Sequence, residues 1–448
     1  MKMLYLYRAV INKKGMLLRL KIRNFLSFFE ETVFDMFPNP KRTSFPNHTY
    51  GEMKIPLLKQ AAIYGANGSG KSNFIKALLF LKTFVTHEDF LKNVDLDEYI
   101  FQLTTIKQSK INFEIEFFIK EKYYVYKLDI DKKNINESLF QSGLGNTPDK
   151  LLFKRNGNEI TSGYMGNESS AKQLLAMNPQ SSLFPLNQKF PVLTNEDVKF
   201  AFEWFEKKLD IVTINSTLPT LIDLMSKQIA LLNLTNEIFE NIGLGINAVK
   251  IAETPFDQWV TDNRNAKDLQ QIMENDPLKP NTSISGIENN RNIFSVSLKK
   301  GIKTVQEFLF EQMGQSGFKK EMKITAQSDG TIRLLTLIPA IYEAVNKQKV
   351  VFVDEIDNSI HPNLIFSLLQ FYGNKQSKGQ LIFTTHTTRL LNQQELLRPD
   401  EIWLTEKENG NSKMYSINDF KIHNTINLEN GYLDGRYGAV PQLGDFDT

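Results

Sequence analysis

Residues 65–72 of this 448-residue chain read GANGSGKS, which fits the phosphate-binding pattern G-x-x-x-x-G-K-[ST]. An apolar run over 55–64 precedes the pattern and predicts a strand, whereas the apolar residues of 72–86 recur at helical spacing and predict a helix. A strand, a glycine-rich loop and a helix in this order are the setting in which the pattern forms a P-loop. The alternative, a chance glycine-rich turn before a helix, is disfavoured by that setting.

The residue types of the motif suit a nucleotide phosphate. Gly68 and Gly70 allow successive backbone N–H groups to curl around a phosphate, and the helix that follows adds its positive N-terminal dipole. Lys71 reaches the β and γ phosphates, and the Ser72 hydroxyl ligates Mg²⁺. The sequence therefore predicts ATP and Mg²⁺ as cofactors, bound by Gly65, Asn67, Gly68, Ser69, Gly70, Lys71 and Ser72.

Two further strand ends carry polar chemistry. The apolar run 350–353 ends in Asp354 and Glu355, so Asp354 is expected to hold Mg²⁺ through water and Glu355 to accept a proton from the attacking water. The alternative for a lone acidic pair is a solvated turn. The run 381–384 leads to His386 at a strand end, where α/β sheets bind ligands, although a lone histidine is more often structural.

Composition excludes several classes of protein. The 53 basic and 51 acidic residues leave a formal charge of +2, so there is no global attraction to nucleic acid or membrane. With no cysteine, disulfides, thiolate metal sites and cysteine nucleophiles are excluded. The N-terminus lacks the apolar core of a signal peptide, and the apolar stretch 334–345 is too short to cross a bilayer. We expect a cytoplasmic protein with no membrane partner.

The rest of the chain is read from its periodicity. The alternating run 16–34 predicts one or two strands, and 111–163 predicts an antiparallel meander with an Asn-Gly turn. The stretch 195–240 has helical spacing without a sustained heptad, so a long coiled coil is not expected. The polar stretch 254–291 predicts a loop, and the last third alternates strand and helix as in a parallel sheet.

In combination these motifs resemble the ATP-binding-cassette (ABC) ATPases, in particular the RecF and SMC-like group and its bacterial AAA-family members. RLKIRNFLSF resembles that group's first strand, GANGSGKS its Walker A, VVFVDE its Walker B, IDNSIHP its D-loop and TTH its His switch. The resemblance implies catalytic roles for Lys71, Glu355 and His386 and places Asp357 of the D-loop at the nucleotide. Gln102 is the best match to the Q-loop metal ligand.

The group's signature motif is matched by Ser328 and Gly330, which open the helix before Walker B. In that group the serine and glycine bind the γ-phosphate held by the other subunit, closing two ATPs in a head-to-tail dimer. A helix N-terminus suits such an anion. Taken alone, Ser-Asp-Gly before a helix is only a capping motif. Phe25 and Tyr64 are candidates to stack on adenine, with a place in the core as the alternative.

The expected fold class is α/β: an ABC-ATPase head with a P-loop, a mixed core sheet with helices and an antiparallel β subdomain, interrupted by a mostly helical insertion. Residues 16–120 are expected to form the N-terminal half of the head, 121–295 the meander and helical insertion, and 296–448 the C-terminal half with the tail.

The tail, with RPDEIWLTEKENGNSKMYSINDF and GYLDGRYGAVP, resembles the AAA-family ATPases of anti-phage systems of the RloA and AbiL kind. Arg436 in it is a candidate for binding phosphate or a partner carboxylate, the alternative being a turn that fixes the tail to the core. The related OLD nucleases add a TOPRIM domain, for which the residues after His386 are too few. The chain is therefore expected to leave nucleic acid uncut.

The expected function is ATP hydrolysis coupled to head-to-tail dimerisation, as a homodimer or higher homo-oligomer, which controls a smaller nuclease or toxin subunit in abortive infection. The alternatives are a DNA-repair ATPase of RecF or SMC type and a scaffold that barely hydrolyses ATP; Glu355 argues against the scaffold. Nucleic acid remains a candidate partner through a lysine cluster whose alternative is a solvated face: Lys299, Lys300, Lys303, Lys319, Lys320 and Lys323.

Overall fold

The computed structural model of the chain describes residues 14–106, 108–163, 167–213, 219–262, 283–288, 292–299, 301–392, 394–423 and 426–441. The chain divides into two compact units. The first unit comprises Met1–Thr213, Glu343–Asp357 and Ile365–Thr448, and the second comprises Ile214–Tyr342 and Asn358–Leu364.

The strands, in chain order, are β1 Gly15–Arg23, β2 Thr32–Asp35, β3 Gln60–Tyr64, β4 Ile111–Ile119, β5 Lys122–Ile130, β6 Ile135–Gln141, β7 Lys150–Asn156, β8 Glu159–Ser162, β9 Leu209–Val212, β10 Ile246–Pro255, β11 Ser283–Glu288, β12 Asn292–Lys299, β13 Ile302–Met313, β14 Lys319–Lys323, β15 Val350–Val353, β16 Gln380–Thr384, β17 Ile402–Glu408 and β18 Asn411–Ser416. The α-helices are α1 Lys71–Thr86, α2 Glu168–Met177, α3 Leu183–Lys189, α4 Glu196–Glu203, α5 Pro219–Lys227, α6 Ile229–Asn241, α7 Phe256–Asp262, α8 Asp329–Asn346, α9 Pro362–Asn374 and α10 Leu428–Leu433.

The core sheet of the first unit has the strand order β18-β17-β3-β16-β15-β9. All neighbouring pairs are parallel except β17 and β18, which form an antiparallel hairpin at one edge. Every residue of β3, β15 and β16 is buried, as expected for strands covered on both faces. Because parallel strands end at the same edge, the loops after β3, β15 and β16 meet there.

The second sheet of this unit is antiparallel, in the order β2-β1-β4-β5-β6-β7-β8. It contains the two strands expected in 16–34 and confirms the meander expected in 111–163. Helix α1 contributes buried Phe74, Leu78 and Phe84 to a core shared with this sheet. Leu79, one of the apolar residues of 72–86, is 41% exposed instead of buried with them.

The stretch 195–240 departs from its prediction at one point. Helices α4, α5 and α6 are present, but Leu209–Val212 forms β9, the edge strand beside β15. Trp204–Lys208, a π-helical turn, leads into it. The four-residue strand was missed because a short apolar run has no length over which a period of two can be distinguished from a helical period.

The second unit contains an antiparallel sheet in the order β10-β13-β12-β11, with β14 paired to β13. Within 121–295, where a mostly helical insertion is predicted, strands β10 and β11 therefore accompany helices α5 to α7. The loop expected in 254–291 is wrong where the chain is described: β10 ends at Pro255, α7 follows, and β11 occupies 283–288. Residues 263–282 and 289–291 lie outside the described residues.

The α/β fold class is confirmed, with a P-loop, a helix-covered core sheet and an antiparallel β subdomain. The domain boundaries at 120 and 295 stay a prediction. Among the described residues, none of the helices combines the length and the apolar character that a membrane crossing needs.

Candidate functional site

The P-loop follows Tyr64, the last residue of β3, and ends where α1 begins, at Lys71. Gly65, Gly68 and Gly70 have φ angles of 152°, 76° and 120°, a region that side-chain-bearing residues rarely adopt. At Gly70 a Cβ atom would also collide with the Ser412 side chain on β18. The loop therefore needs glycine there both for its backbone angle and for its close packing.

Lys71 lies inside this loop and is 5% exposed. Its Nζ donates hydrogen bonds to the carbonyl oxygens of Gly65 and Ala66, at 2.7 and 3.0 Å. Burial lowers the pKa of Lys71 to about 8, although the nearby carboxylates of Glu355 and Asp354 oppose that shift. A phosphate bound in the loop would supply a negative charge to pair with the buried ammonium group of Lys71.

Ser72 and Asp354 are brought together from distant parts of the chain. The Ser72 hydroxyl lies 3.5 Å from Asp354 Oδ1, at the end of β15. Thr384, the last residue of β16, donates from Oγ1 to the same carboxylate oxygen at 2.6 Å. A hydroxyl and a carboxylate are ligands that Mg²⁺ takes, so this pair fits the predicted metal.

Thr384 also positions Glu355. The Glu355 backbone N–H donates to Thr384 Oγ1 at 2.7 Å, and Glu355 has a φ of 47°. This left-handed turn directs the chain away from β15 immediately after Asp354. The sequence analysis includes Thr384 only as the first residue of TTH and gives it no role of its own; the signal for that role was its place at the end of an apolar strand.

Asp357 and His386 are joined through the backbone. The His386 N–H donates to Asp357 Oδ2 at 3.0 Å, and the Thr387 hydroxyl donates to the same oxygen at 2.6 Å. Burial, followed by the positive charge of Lys71, lowers the pKa of His386. A neutral imidazole at pH 7 can both donate and accept a hydrogen bond. Asp357 thus holds the loop that carries His386.

The P-loop has further features that suit a polyphosphate. Ser69 Oγ is buried and has no hydrogen-bond partner among the described residues. Asn67 and Gly68, at the tip of the loop, are exposed. The oxygen ligands, the buried ammonium and the glycine-lined loop therefore fit ATP and Mg²⁺, with Lys71, Ser72 and Asp354 as the groups that would hold them.

Ser328 and Gly330 lie in the second unit, at the start of α8. Ser328 Oγ accepts a hydrogen bond from the Thr331 N–H at 3.2 Å, which is a capping contact. A Cβ atom at Gly330 would lie 2.6 Å from the carbonyl oxygen of Ser359, so the expected signature and D-loop segments pack closely within this unit. Their roles toward nucleotide stay predictions.

Other predicted site residues make local contacts. Gln102 is exposed, and its Nε2 donates to the carbonyl oxygens of Asp97 and Ile100, at 2.6 and 3.2 Å. Arg436 is exposed and pairs with Asp434 at 3.1 Å. The metal role of Gln102 and the ligand role of Arg436 stay predictions.

The two aromatic candidates for adenine stacking are core residues. Phe25 and Tyr64 are both 0% exposed. The Phe25 ring contacts Phe80 edge to face at 5.5 Å, and the Tyr64 ring lies 6.0 Å from Tyr432. Both rings therefore occupy the core, which is the alternative to stacking on adenine.

In the part of the chain that the structure describes, acidic side chains pair with two of the six lysines of the cluster. Lys319 pairs with Glu311 at 2.9 Å, and Lys323 lies 3.7 Å from Glu307. Lys303 lies over the Phe256 ring at 5.8 Å. Lys300 and the side chain of Lys299 are outside the described residues.

Comparisons with known proteins extend these observations. The family described as "AAA domain, putative AbiEii toxin, Type IV TA system" matches residues 61–392. No curated protein matches.

Three of the solved structures that are similar to this chain are SMC heads. One is the SmcHead bound to the C-winged helix domain of ScpA, at 15% identity and a TM-score of 0.49, covering 90% of this chain and 97% of that chain. Another is the SMC head domain from Thermotoga maritima, at 13% identity and a TM-score of 0.41, covering 91% and 100%. A third is the Smc head domain with an extended coiled coil bound to the C-terminal domain of ScpA derived from Pyrococcus furiosus, at 13% identity and a TM-score of 0.42, covering 94% and 99%.

The predicted resemblance to bacterial AAA-family ATPases is confirmed by the family match. The matched segment includes the P-loop, the acidic end of β15 and the His386 loop, and it spans more than half of the 448 residues. The chain therefore belongs to this AAA-domain family, a family of ATPases.

Proposed function

We propose that this protein hydrolyses ATP and that its ATP-dependent dimerisation controls a partner effector. The single observation that supports hydrolysis is the meeting of four groups at one edge of the core sheet. Lys71 and Ser72 begin α1, and Asp354 and Glu355 come directly after β15, with the Ser72 hydroxyl and Asp354 Oδ1 3.5 Å apart. A site that only bound nucleotide would have no use for a second carboxylate beside the metal ligand.

In this proposal each residue acts on the reacting phosphate in a defined way. The P-loop amides and Lys71 bind the phosphates, and the pKa of Lys71, lowered by burial, rises again when negative charge arrives. Mg²⁺, when bound, neutralises charge on the phosphate oxygens. Glu355 accepts the proton of the attacking water, and Thr384 holds the Asp354 carboxylate and the Glu355 backbone in place.

The catalytic site is completed by a second copy. One subunit supplies Lys71, Ser72, Asp354 and Glu355, and the other supplies Ser328 and Gly330 to the γ-phosphate. Support comes from the N-terminus of α8, where backbone N–H groups and the Ser328 hydroxyl are able to meet an anion. Gly330 has no side chain that would obstruct the approach of the γ-phosphate.

The effector is a smaller nuclease or toxin subunit, and the setting is abortive infection. The family description, which names a toxin and a type IV toxin–antitoxin system, supports the setting; the separate effector subunit is an inference from the resemblance of the tail. The ion pairs of Lys319 and Lys323 reduce the positive charge available to DNA, so they favour effector control over a DNA-repair role.

The variant Glu355→Gln tests dimerisation. It keeps the phosphate and metal contacts but removes the base, so turnover should fall by about 10²–10⁴. Light scattering should then show a larger assembly with ATP and Mg²⁺ but not with ADP. If the protein is already a dimer without nucleotide, slower nucleotide release and a cross-link between Ser328 of one copy and the P-loop of the other become the readouts.

The matched control adds Ser328→Arg to Glu355→Gln. The added bulk should abolish the nucleotide-dependent assembly and leave ATP bound to each subunit. Assembly that persists in the double variant would show that Ser328 is only a helix cap. Ser328→Ala, combined with Glu355→Gln, removes the hydroxyl without adding bulk, so it shows how much of the effect of Ser328→Arg comes from the lost hydroxyl alone.

A further inference from the structure

The C-terminal residues 427–441, which we call the tail strap, pack onto the nucleotide site within the first unit. The strap contains α10 and the turn GRYGAVP. At its carboxyl end the Ala439 carbonyl accepts a hydrogen bond from the Ala66 N–H of the P-loop at 3.0 Å. The buried Tyr432 hydroxyl donates to the same carbonyl at 3.0 Å.

Two more loops are attached to the strap. On β17, Glu406 Oε2 accepts from the Ala439 N–H at 3.3 Å and lies 3.0 Å from the Tyr415 hydroxyl. The Thr388 hydroxyl, two residues beyond His386, donates to Glu429 at 2.7 Å. The strap thus connects the P-loop, the β17–β18 hairpin and the His386 loop.

The backbone of the strap is built for this close approach. Gly438 has a φ of 71°, and a Cβ atom there would lie 2.6 Å from both Glu406 Oε2 and the Tyr415 hydroxyl oxygen. Ala439 is itself left-handed, with a φ of 60°. A non-glycine residue in that region is unfavourable and is retained only where the surroundings impose it. The same turn lines a cleft with Gly65–Ser69 and His386.

We propose that the tail strap positions the P-loop and that its docking is thermodynamically linked to nucleotide binding. The hydrogen bond to Ala439 fixes the direction of the Ala66 peptide, so the amides that follow are already arranged for phosphate. By linkage, a strap that strengthens nucleotide binding is itself stabilised by nucleotide to the same degree. This inference rests on the proposed nucleotide site, and its test separates the two.

The variant Tyr432→Phe removes only the hydroxyl that holds Ala439. We expect about fivefold weaker binding of the Mg²⁺ complex of the ATP analogue adenosine 5′-(β,γ-imido)triphosphate, measured by calorimetry, since a coupling of this kind begins at about fivefold. The matched control is Tyr372→Phe. The Tyr372 hydroxyl is also buried, and it lies within hydrogen-bond distance of two carbonyl oxygens, those of Lys59 and Gly379. These residues precede β3 and β16, so they lie at the opposite ends of the strands from the P-loop. The control should bind the analogue as the wild type does.

A second pair of variants covers the case in which Tyr432→Phe fails to fold. Glu406→Ala removes the acceptor for Ala439, whereas Glu406→Gln keeps an oxygen in place. Weak analogue binding by Glu406→Ala, restored in Glu406→Gln, supports positioning. Equal binding by both variants and the wild type overturns it.

Hydrogen exchange of residues 427–441 measures the linkage directly. The Mg²⁺ analogue should slow exchange in the strap of the wild type, and it should leave exchange unchanged in Lys71→Ala. If the wild type binds the analogue but the strap exchanges at the same rate, the linkage is wrong and the nucleotide site stands. If the wild type binds no analogue, the proposed function fails first and the linkage with it.

Discussion

The side chain of Lys71 is buried, and a negatively charged ligand is needed to balance its positive charge. Its pKa is lowered to about 8 by burial, whereas an unfolded or exposed lysine titrates near 10.5. Below pH 8 the unliganded protein carries the ammonium that phosphate binds. Above that pH a growing fraction of Lys71 is neutral, and nucleotide binding must take up a proton.

ATP affinity should therefore be constant near pH 7 and fall by up to about tenfold per pH unit once the pH exceeds about 8. Calorimetry in buffers of different ionisation enthalpy should show proton uptake in the same range. The variant Lys71→Ala should lose most of its ATP affinity, and any residual binding should show no uptake from this site. Affinity that stays constant to pH 9.5 would contradict the assigned role of Lys71.

The Thr384 hydroxyl connects the Asp354 carboxylate to the backbone of Glu355. It donates to Asp354 and accepts from the Glu355 backbone, at 2.6 and 2.7 Å. The variant Thr384→Val keeps the shape of the side chain but removes both contacts. ATP turnover should fall by about tenfold or more, because a misplaced base loses much of its effect.

The control Thr384→Ser retains the hydroxyl and should keep most of the activity. Steady-state kinetics of the two variants, with KM and kcat measured separately, give the comparison. A Thr384→Val protein that turns over as fast as Thr384→Ser would rule out this positioning role.

Among the elements, the antiparallel sheet contains a buried ion pair whose arginine also binds the segment before α3. Arg155 of β7 and Glu137 of β6 lie 3.0 Å apart with fully buried side chains. Arg155 also donates to the carbonyls of Ser181 and Pro179, which precede α3. Because its guanidinium group binds both the sheet and that segment, Arg155 fixes the segment against the sheet.

Replacement of Arg155 by Leu should lower the free energy of unfolding by about 3–5 kcal/mol, since it leaves the Glu137 carboxylate buried without its partner. Urea unfolding followed by tryptophan fluorescence measures the change. Lys172→Ala, which breaks an exposed pair with Glu159 in the same sheet, should change it by less than about 1 kcal/mol. Similar losses in the two variants would mean that burial contributes nothing to the pair.

At the scale of the whole molecule, the proposed division of labour assigns ATP hydrolysis to this chain and cutting or toxicity to a partner. Plasmid DNA and RNA incubated with the purified chain and Mg²⁺ or Mn²⁺ should remain intact. Added DNA should leave ATP turnover unchanged. Co-expression with the adjacent gene should yield a stable complex.

The variant Asp354→Ala is the control for this prediction. Cutting by the wild-type chain that disappears in Asp354→Ala would place the nuclease here and refute the division of labour. Turnover that rises on addition of DNA would instead favour the DNA-repair alternative. Both outcomes are read from the same preparation.

The sequence by itself determined the elements that carry short-range signals. The P-loop pattern, the apolar strands before it and before Asp354, and the Asn-Gly turn of the meander each depend on residues within a few positions of one another. Local sterics and hydrophobic periodicity act at that range, so these elements could be predicted without the fold.

Only the tertiary structure decided which distant residues meet. It placed β9 beside β15, gave the second unit an antiparallel sheet, added Thr384 to the two acidic residues, and laid the tail strap on the P-loop. These contacts join positions tens to hundreds of residues apart, through backbone groups or single hydroxyls that leave no period in the sequence. The physical reason is that the pairing of parallel strands and the docking of loops depend on how the whole core packs. A local segment of the sequence does not contain that information.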